Sequence, residues 1–265
     1  MDPQGKMNLS MPLLETLDDE AEKSDTTQNR AYFALKNAVL GGRFYPGTVV
    51  TLRKLSDMLG TSEMPIREAL KRLTAEGAFE GLPNRSARVP VLTRRQTKQL
   101  LDLRVDLESQ AAAQATQNIS RRQIDELTEL QQRMEHALDE GAAAEYVLLN
   151  KQFHFAIYVI ADNEPLLALI EALWLRMAPV VAFNLTRAEQ AKARFDHLGR
   201  SHHFEIIDAL REGNAEKAAA EIKADLMHPA GLSDYWDSAA QLANSAPPVT
   251  KRPKATAARK IDTTS

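Results

Sequence analysis

The sequence predicts a mainly α-helical protein in two parts: a small N-terminal head that includes a β-hairpin, and an antiparallel all-α bundle behind it. Three observations predict it. Residues 52–90 hold two short amphipathic segments joined by a tight turn, then a basic, turn-rich stretch. Residues 93–240 show helical periodicity from end to end, without strand-like alternation. Charge divides the same way, with ten Lys/Arg against five Asp/Glu over 28–92 and 16 against 23 over 93–240.

Composition bounds the possibilities. At 265 residues the chain can form two domains of ~100–150 residues each, and 44% hydrophobic content is enough for full cores. There is no cysteine, which excludes disulfides and thiolate metal ligands. No signal-peptide pattern and no membrane-length apolar run is evident, so a cytoplasmic protein without membrane contact is expected. Residues 1–27 carry two Lys/Arg against seven Asp/Glu and read as a disordered acidic tail. Residues 241–265, with five against one and rich in Pro, Ala and Thr, read as a disordered basic tail. A basic head (28–92) on an acidic body (93–240) fits a polyanion-binding unit on a separate domain.

Taken in order, Ala31, Leu35, Ala38 and Val39 recur at helical spacing, and Gly41-Gly42 stop that helix. Leu52, Leu55, Met58 and Leu59 make a second short helix, ended by Gly60. Ser62 is placed to cap a third, and Pro65 is tolerated in its first turn. Ile66, Ala69, Leu70 and Leu73 must face the core, so Arg67, Lys71 and Thr74 face outward with Arg72 beside them. Residues 78–91 suit a hairpin with Arg85 and Arg88 near its tip. Two helices around a turn, then a basic wing, are the parts of a winged helix-turn-helix. Its helix fits a major groove, and its wing reaches the adjacent backbone.

Residues 30–92 resemble the N-terminal domain of the GntR superfamily of bacterial transcription regulators. The resemblance rests on Gly42-Arg43-Phe44-Tyr45-Pro46-Gly47, Leu55-Ser56-Asp57-Met58-Leu59-Gly60-Thr61-Ser62, Pro65-Ile66-Arg67-Glu68-Ala69-Leu70 and Pro83-Asn84-Arg85. It implies DNA contacts by Ser62, Arg67, Asn84 and Arg85, and by Arg72 on the same basis. Thr61 and Lys71 complete the expected surface. Two departures fall there. Glu63 replaces the arginine the family usually has, and sits at i,i+4 from Arg67, where it could pair with it. Ser86 stands where the wing usually has glycine. An unusual operator or weaker binding follows from both.

The remainder reads as helices at about 93–118, 120–140, 143–161, 165–185, 189–213 and 215–235, with one break near Arg187. Asn150 and His154 fall on the buried stripe of one helix, His203 on that of another, and Asp225 on that of the last. Buried polar groups need partners. Either one divalent cation satisfies all four, or each is hydrogen-bonded separately in the core.

This part resembles the FCD effector domain of the FadR-type branch. The matching text is Leu103-Arg104-Val105-Asp106-Leu107-Glu108, Asn150-Lys151-Gln152-Phe153-His154, His203 with Ile206-Ile207-Asp208-Ala209-Leu210, and Gly213-Asn214. The resemblance implies a metal site of Asn150, His154, His203 and Asp225, with Asp225 replacing the usual third histidine. An oxygen- and nitrogen-donor set of this kind suits Zn, Mn or Ni. It also implies that Arg104 binds the carboxylate of a small organic acid, with Arg176 as a second pocket candidate. Arg104 is equally placed for a salt bridge with Glu108 at i,i+4. Trp174 and Trp236 are read as core.

The expected function is a DNA-binding transcription regulator, a homodimeric repressor on an operator of double-stranded DNA, controlled by a small carboxylate. The alternative is a helical metal-dependent hydrolase fused to a DNA-binding head. Against it, no nucleophile motif and no general base accompanies the candidate ligands.

Overall fold

The computed structural model describes residues 26–190, 200–228 and 233–244. The elements are α1 (Thr27–Leu40), β1 (Val49–Thr51), α2 (Leu52–Leu59), α3 (Glu63–Ala75), β2 (Glu80–Leu82), β3 (Ser86–Arg88), α4 (Arg94–Asn118), α5 (Arg121–Asp139), α6 (Ala143–Ile160), α7 (Glu164–Gln190), α8 (Arg200–Arg211), α9 (Ala215–Leu226) and α10 (Ser233–Asn244). The predicted fold class stands: a small head with α1 to α3 and a three-stranded antiparallel sheet, followed by a helical bundle.

Side-chain caps set many of the helix starts. Thr26, Thr51 and Asn214 accept from the backbone N–H three residues on. Thr93 and Ser120 form capping boxes with Gln96 and Gln123. Gly60 closes α2 in the left-handed region at φ 60°, which a residue without Cβ adopts at no steric cost. The wing strands pair with Glu80 opposite Arg88 and Leu82 opposite Ser86, which leaves Pro83-Asn84-Arg85 as the tip. The sequence reading missed β1. It pairs with β3, placing Val50 opposite Ala87 and anchoring the wing to the start of α2.

Several boundaries differ from expectation. Residues 26–27 and 241–244 belong to helix starts and ends, not tails; the remaining tail residues, 1–25 and 245–265, lie outside the described residues. No break occurs near Arg187, because α7 runs on to Gln190. Of the helix expected over 189–213, residues 191–199 lie outside the described residues, and the described part begins at Arg200. The last expected helix stops at Leu226 instead of 235, and a separate helix follows from Ser233. The apolar run in α7 is also longer than the sequence reading allowed. Glu164–Arg187 has the length and mean hydropathy (1.8) of a membrane span, but 56% of that window is buried inside the protein, as in a core helix.

Head and bundle share a core: buried residues from α1 to α3 connect with those of the bundle in one apolar cluster. At the seam, Lys36 pairs with Glu171 at 2.7 Å, and the hydroxyls of Tyr45 and Thr186 are 3.0 Å apart. Gly42, at φ +71°, lies so close that an added Cβ would come within 2.5 Å of the Cβ of Ala182. Tyr235 on α10 fastens the linker, donating its hydroxyl to the carbonyl of Leu92 at 2.7 Å and its N–H to Asn184 at 2.9 Å. Thus α7 is the bundle helix on which the head rests.

Candidate functional site

Two surfaces carry chemistry: the outer face of α3 with the wing, and a pocket inside the bundle.

On the head, Ile66, Ala69, Leu70 and Leu73 are buried as expected, which turns Arg67 and Lys71 outward. Ser62 is exposed and has the extended backbone of an N-cap, but its side chain makes no capping hydrogen bond. Its hydroxyl therefore remains available to another acceptor or donor. Asn84 and Arg85 are both exposed, and both hold positive φ, at 60° and 56°. Asparagine tolerates that region better than arginine does. The hydroxyl of Ser86 donates to the carbonyl of Pro83 at 2.7 Å and closes the tip.

Three ion pairs alter the expected picture. Glu63 pairs with Arg85 of the wing at 3.5 Å, not with Arg67. Arg72 sits 3.5 Å over the ring of Tyr32 and bonds to Glu76 at 3.2 Å, so its guanidinium is tied to the head's own framework. Arg88, only 12% exposed at its side chain, is fixed by Glu80 at 2.8 Å and is part of the wing's structure, not its tip. Lys71 pairs with Glu68 at 2.7 Å on the open surface, where its side chain is 65% exposed, and Thr61 is half-buried.

Inside the bundle, three helices bring together His154 (α6), His203 (α8) and Asp225 (α9). Both histidines are 1% exposed. Nε2 of His154 is 3.3 Å from Oδ2 of Asp225, and Nε2 of His203 is 3.6 Å from Oδ1. All three donor atoms lie within 4.8 Å of one another. Asn150, one turn before His154, lines the same pocket, together with Arg104, Trp174, Met177, Val181 and His228. The free space is about 90 Å³, a few times the ~30 Å³ share of one liquid water molecule.

The outer contacts of the two imidazoles fix which nitrogen faces inward. The Tyr158 hydroxyl donates to Glu108 at 2.5 Å, because a carboxylate only accepts. Its oxygen then accepts from Nδ1–H of His154 at 3.1 Å, leaving Nε2 of His154 as a lone pair. Gln131 does the same for His203, accepting from Nδ1–H at 2.8 Å. Among the described residues, Nε2 of His203 is then a buried atom without a hydrogen-bond partner. Burial lowers the pKa of His203 to about 4, more than nearby Asp225 raises it, so the ring is neutral at physiological pH. Two imidazole lone pairs therefore converge on a carboxylate, a set of donors that a cation between them would satisfy. The residues fit a divalent metal.

The other candidates divide. Arg104 is buried and lies 4.4 Å over the ring of Trp174, but its fork is already engaged by Glu108 at 2.6 and 3.2 Å. The salt-bridge alternative is the one realised. Arg176 does not reach the pocket. It is exposed, and its side chain lies against Gly77, 3.2 Å from where a Cβ there would stand. Trp174 is buried as expected yet also forms a pocket wall, whereas Trp236 packs away from it. Sequence reading missed Gln131 and Tyr158 as partners of the site, and gave Glu108 only as a partner for Arg104. Glu108 and Tyr158 sit one turn beyond Arg104 and His154, a spacing that signals a shared face. Nothing in the sequence pairs Gln131 with His203, 72 residues away. A larger cleft of about 510 Å³ at the seam is lined by Lys36, Leu130, Phe155, Val159 and Glu171 among others.

Comparison with known proteins fits both surfaces. Residues 27–89 match the model of bacterial regulatory proteins of the gntR family, and residues 99–227 match the FCD domain. Over 182 residues the chain is 31% identical to the HTH-type transcriptional regulator McbR of Escherichia coli (strain K12), covering 69% of this chain and 81% of McbR. This chain belongs to the GntR family. It is a GntR-type regulator carrying an FCD domain, and its winged head is the family's DNA-binding unit. The Nta operon transcriptional regulator of Aminobacter aminovorans is 27% identical over 69% of this chain and 83% of its own length. A probable D-xylose utilization operon transcriptional repressor of Paenarthrobacter nicotinovorans is 27% identical over 67% and 75%. The solved structure of E. coli McbR/YncC superposes with a TM-score of 0.69 at 26% identity, over 83% of this chain and 99% of that one. The named relatives are regulators, so this GntR member is read as a regulator and not as the hydrolase of the alternative reading.

Proposed function

We propose that this GntR-family chain is a homodimeric repressor whose affinity for an operator is controlled by a small organic acid bound in the FCD domain. Residues 28–92 form the DNA-binding domain and residues 93–240 the effector and dimerisation domain. Ser62, Arg67, Lys71, Asn84 and Arg85 contact DNA, with Thr61 at the helix start. Asn150, His154, His203 and Asp225 hold a divalent metal, which supplies a Lewis-acidic centre for an effector oxygen. The pocket's small free volume favours a ligand of a few non-hydrogen atoms. Because Arg104 is held by Glu108, the metal takes the larger part in holding the carboxylate.

One observation carries this reading: α7 both lines the pocket and seats the head. Trp174, Met177 and Val181 line the pocket, while Glu171, Ala182 and Thr186 meet the head. A ligand that shifts α7 shifts the seat of the head, a coupling typically worth about 1–3 kcal/mol. The repressor assignment is supported by the relative from P. nicotinovorans, which is named as one. Two heads on a palindrome one helical turn apart require a dimer. The test is fluorescence anisotropy on an operator fragment, titrated with small carboxylates with and without EDTA. The expected result is weaker DNA binding by one acid only when metal is present. DNA affinity that no acid and no chelator changes would overturn the reading.

A further inference from the structure

The head contains a charged pair outside its core, at the expected DNA surface. Glu63 opens α3, and its carboxylate reaches across to Nη1 of Arg85 on the wing at 3.5 Å. Both ends are open to solvent, at 39% and 72% side-chain exposure. Next to Glu63, Met64 is 56% exposed, a large apolar side chain left uncovered while Ile66, Leu70 and Leu73 of the same helix are buried. Arg67 lies one turn along the same helix, and no ion-pair partner for it occurs among the described residues. An acid in a surface meant for a polyanion is repelled by phosphate unless its charge is compensated and its oxygens face a donor. Arg85 provides the compensation.

Base-edge chemistry identifies the donor. A carboxylate only accepts hydrogen bonds. In the major groove guanine offers two acceptors, thymine an acceptor and a methyl group, and adenine a donor beside the acceptor N7. Only cytosine presents an amino group with no neighbouring lone pair on its own edge. A guanine at a neighbouring pair offers O6 and N7 to an arginine, the role open to Arg67, and an adjacent thymine methyl suits the exposed Met64. We propose that Glu63 is a specificity-determining residue that accepts a hydrogen bond from N4 of a cytosine in each half-site, held in place by Arg85. This rests on the DNA-binding reading of the head and deepens it, naming the base that the departure from the family's arginine selects.

The test is selection from a pool of randomised duplexes with the full chain, followed by anisotropy titrations on the selected site. Wild type is expected to enrich a C·G pair at one position of each half-site. Glu63→Arg should change that position to guanine, since arginine pairs with O6 and N7. Glu63→Ala should bind the C·G site and its T·A variant equally, where wild type discriminates on the order of tenfold. Identical motifs for wild type and Glu63→Arg, or unchanged discrimination in Glu63→Ala, would overturn the proposal while leaving DNA binding intact. A wild-type protein that enriches no motif would overturn the sequence-specific reading itself, and this proposal with it.

Discussion

The Cα of Gly42 in the head faces Ala182 of α7 so closely that a Cβ on one would stand 2.5 Å from the Cβ of the other. A second contact, 2.8 Å to Val147 on α6, closes the other side. Gly42 also holds φ +71°, where L side chains are strained. Since Val147 and Ala182 belong to the two helices that supply His154 and Trp174, the head's seat and the pocket wall are the same pieces of backbone.

Gly42→Ala is therefore expected to lift the head from its seat. Overpacking and strain together cost roughly 2–4 kcal/mol. The melting temperature should fall by several degrees, and operator binding should lose its response to effector. Calorimetry and anisotropy on the same preparation check it. A variant with unchanged melting would show that the seam relaxes without cost.

Metal binding predicts a stabilisation set by mass action. At about 100 times the dissociation constant, Zn, Mn or Ni should stabilise the fold by ~2.7 kcal/mol, and EDTA should reverse this. Asp225→Ala should abolish the shift, because it removes the charge on which two imidazoles converge. Asp225→His, which supplies a nitrogen donor instead, should keep it. Thermal-shift curves for the three proteins, with and without EDTA, decide the matter.

Tyr158→Phe removes the acceptor of His154 Nδ1–H while keeping the ring. Losing a partner that orients a ligating imidazole costs roughly 10–100-fold in metal affinity. A chelator-competition titration should show that loss. Gln131→Leu should act in the same way through His203. If both variants bind metal like wild type, the inward lone pairs are not set by these partners.

Two cations of the head should separate by function. Lys71 is exposed, and Lys71→Ala should leave melting unchanged while lowering the slope of log affinity against log salt by about 0.9. Arg88 is nearly covered and tied to Glu80. Arg88→Ala should destabilise the head by roughly 1–2 kcal/mol, with little change in slope. The reverse pattern would exchange their roles.

The sequence made the head legible because its signals are local. Leu70 and Leu73, three residues apart, turn Lys71 outward whatever the rest of the chain does. His154, His203 and Asp225 were legible one at a time, as polar residues on apolar stripes, and their meeting is a fact of helix packing. What stayed hidden depends on choices between partners. Glu63 had Arg67 at the right spacing and took Arg85, because the wing folds back beside the start of α3. Arg176 sits beside the buried Met177, but a rotation of about 100° per residue carries it to the head instead of the pocket. Strand β1 has three residues and too little alternation to declare itself. The end of α7 was misplaced because Arg187 reads as a polar break, whereas the helix continues with that residue on an exposed face.

Arg104 offers the sharpest separation between holding the fold and holding a ligand. Burial would lower its pKa, but Glu108 more than offsets this, so the guanidinium is held charged. Glu108 is fully buried and accepts from both Arg104 and Tyr158. Removing one partner of such a pair leaves an uncompensated buried charge, at a cost of about 3–5 kcal/mol. Arg104→Ala should therefore destabilise strongly. The double variant Arg104→Ala, Glu108→Ala should cost less than the sum of the two single changes, by roughly 0.5–3 kcal/mol. Denaturant titrations of the four proteins give the coupling directly. Additive losses would mean that Arg104 is not committed to Glu108 in solution and that its fork is free for an effector carboxylate.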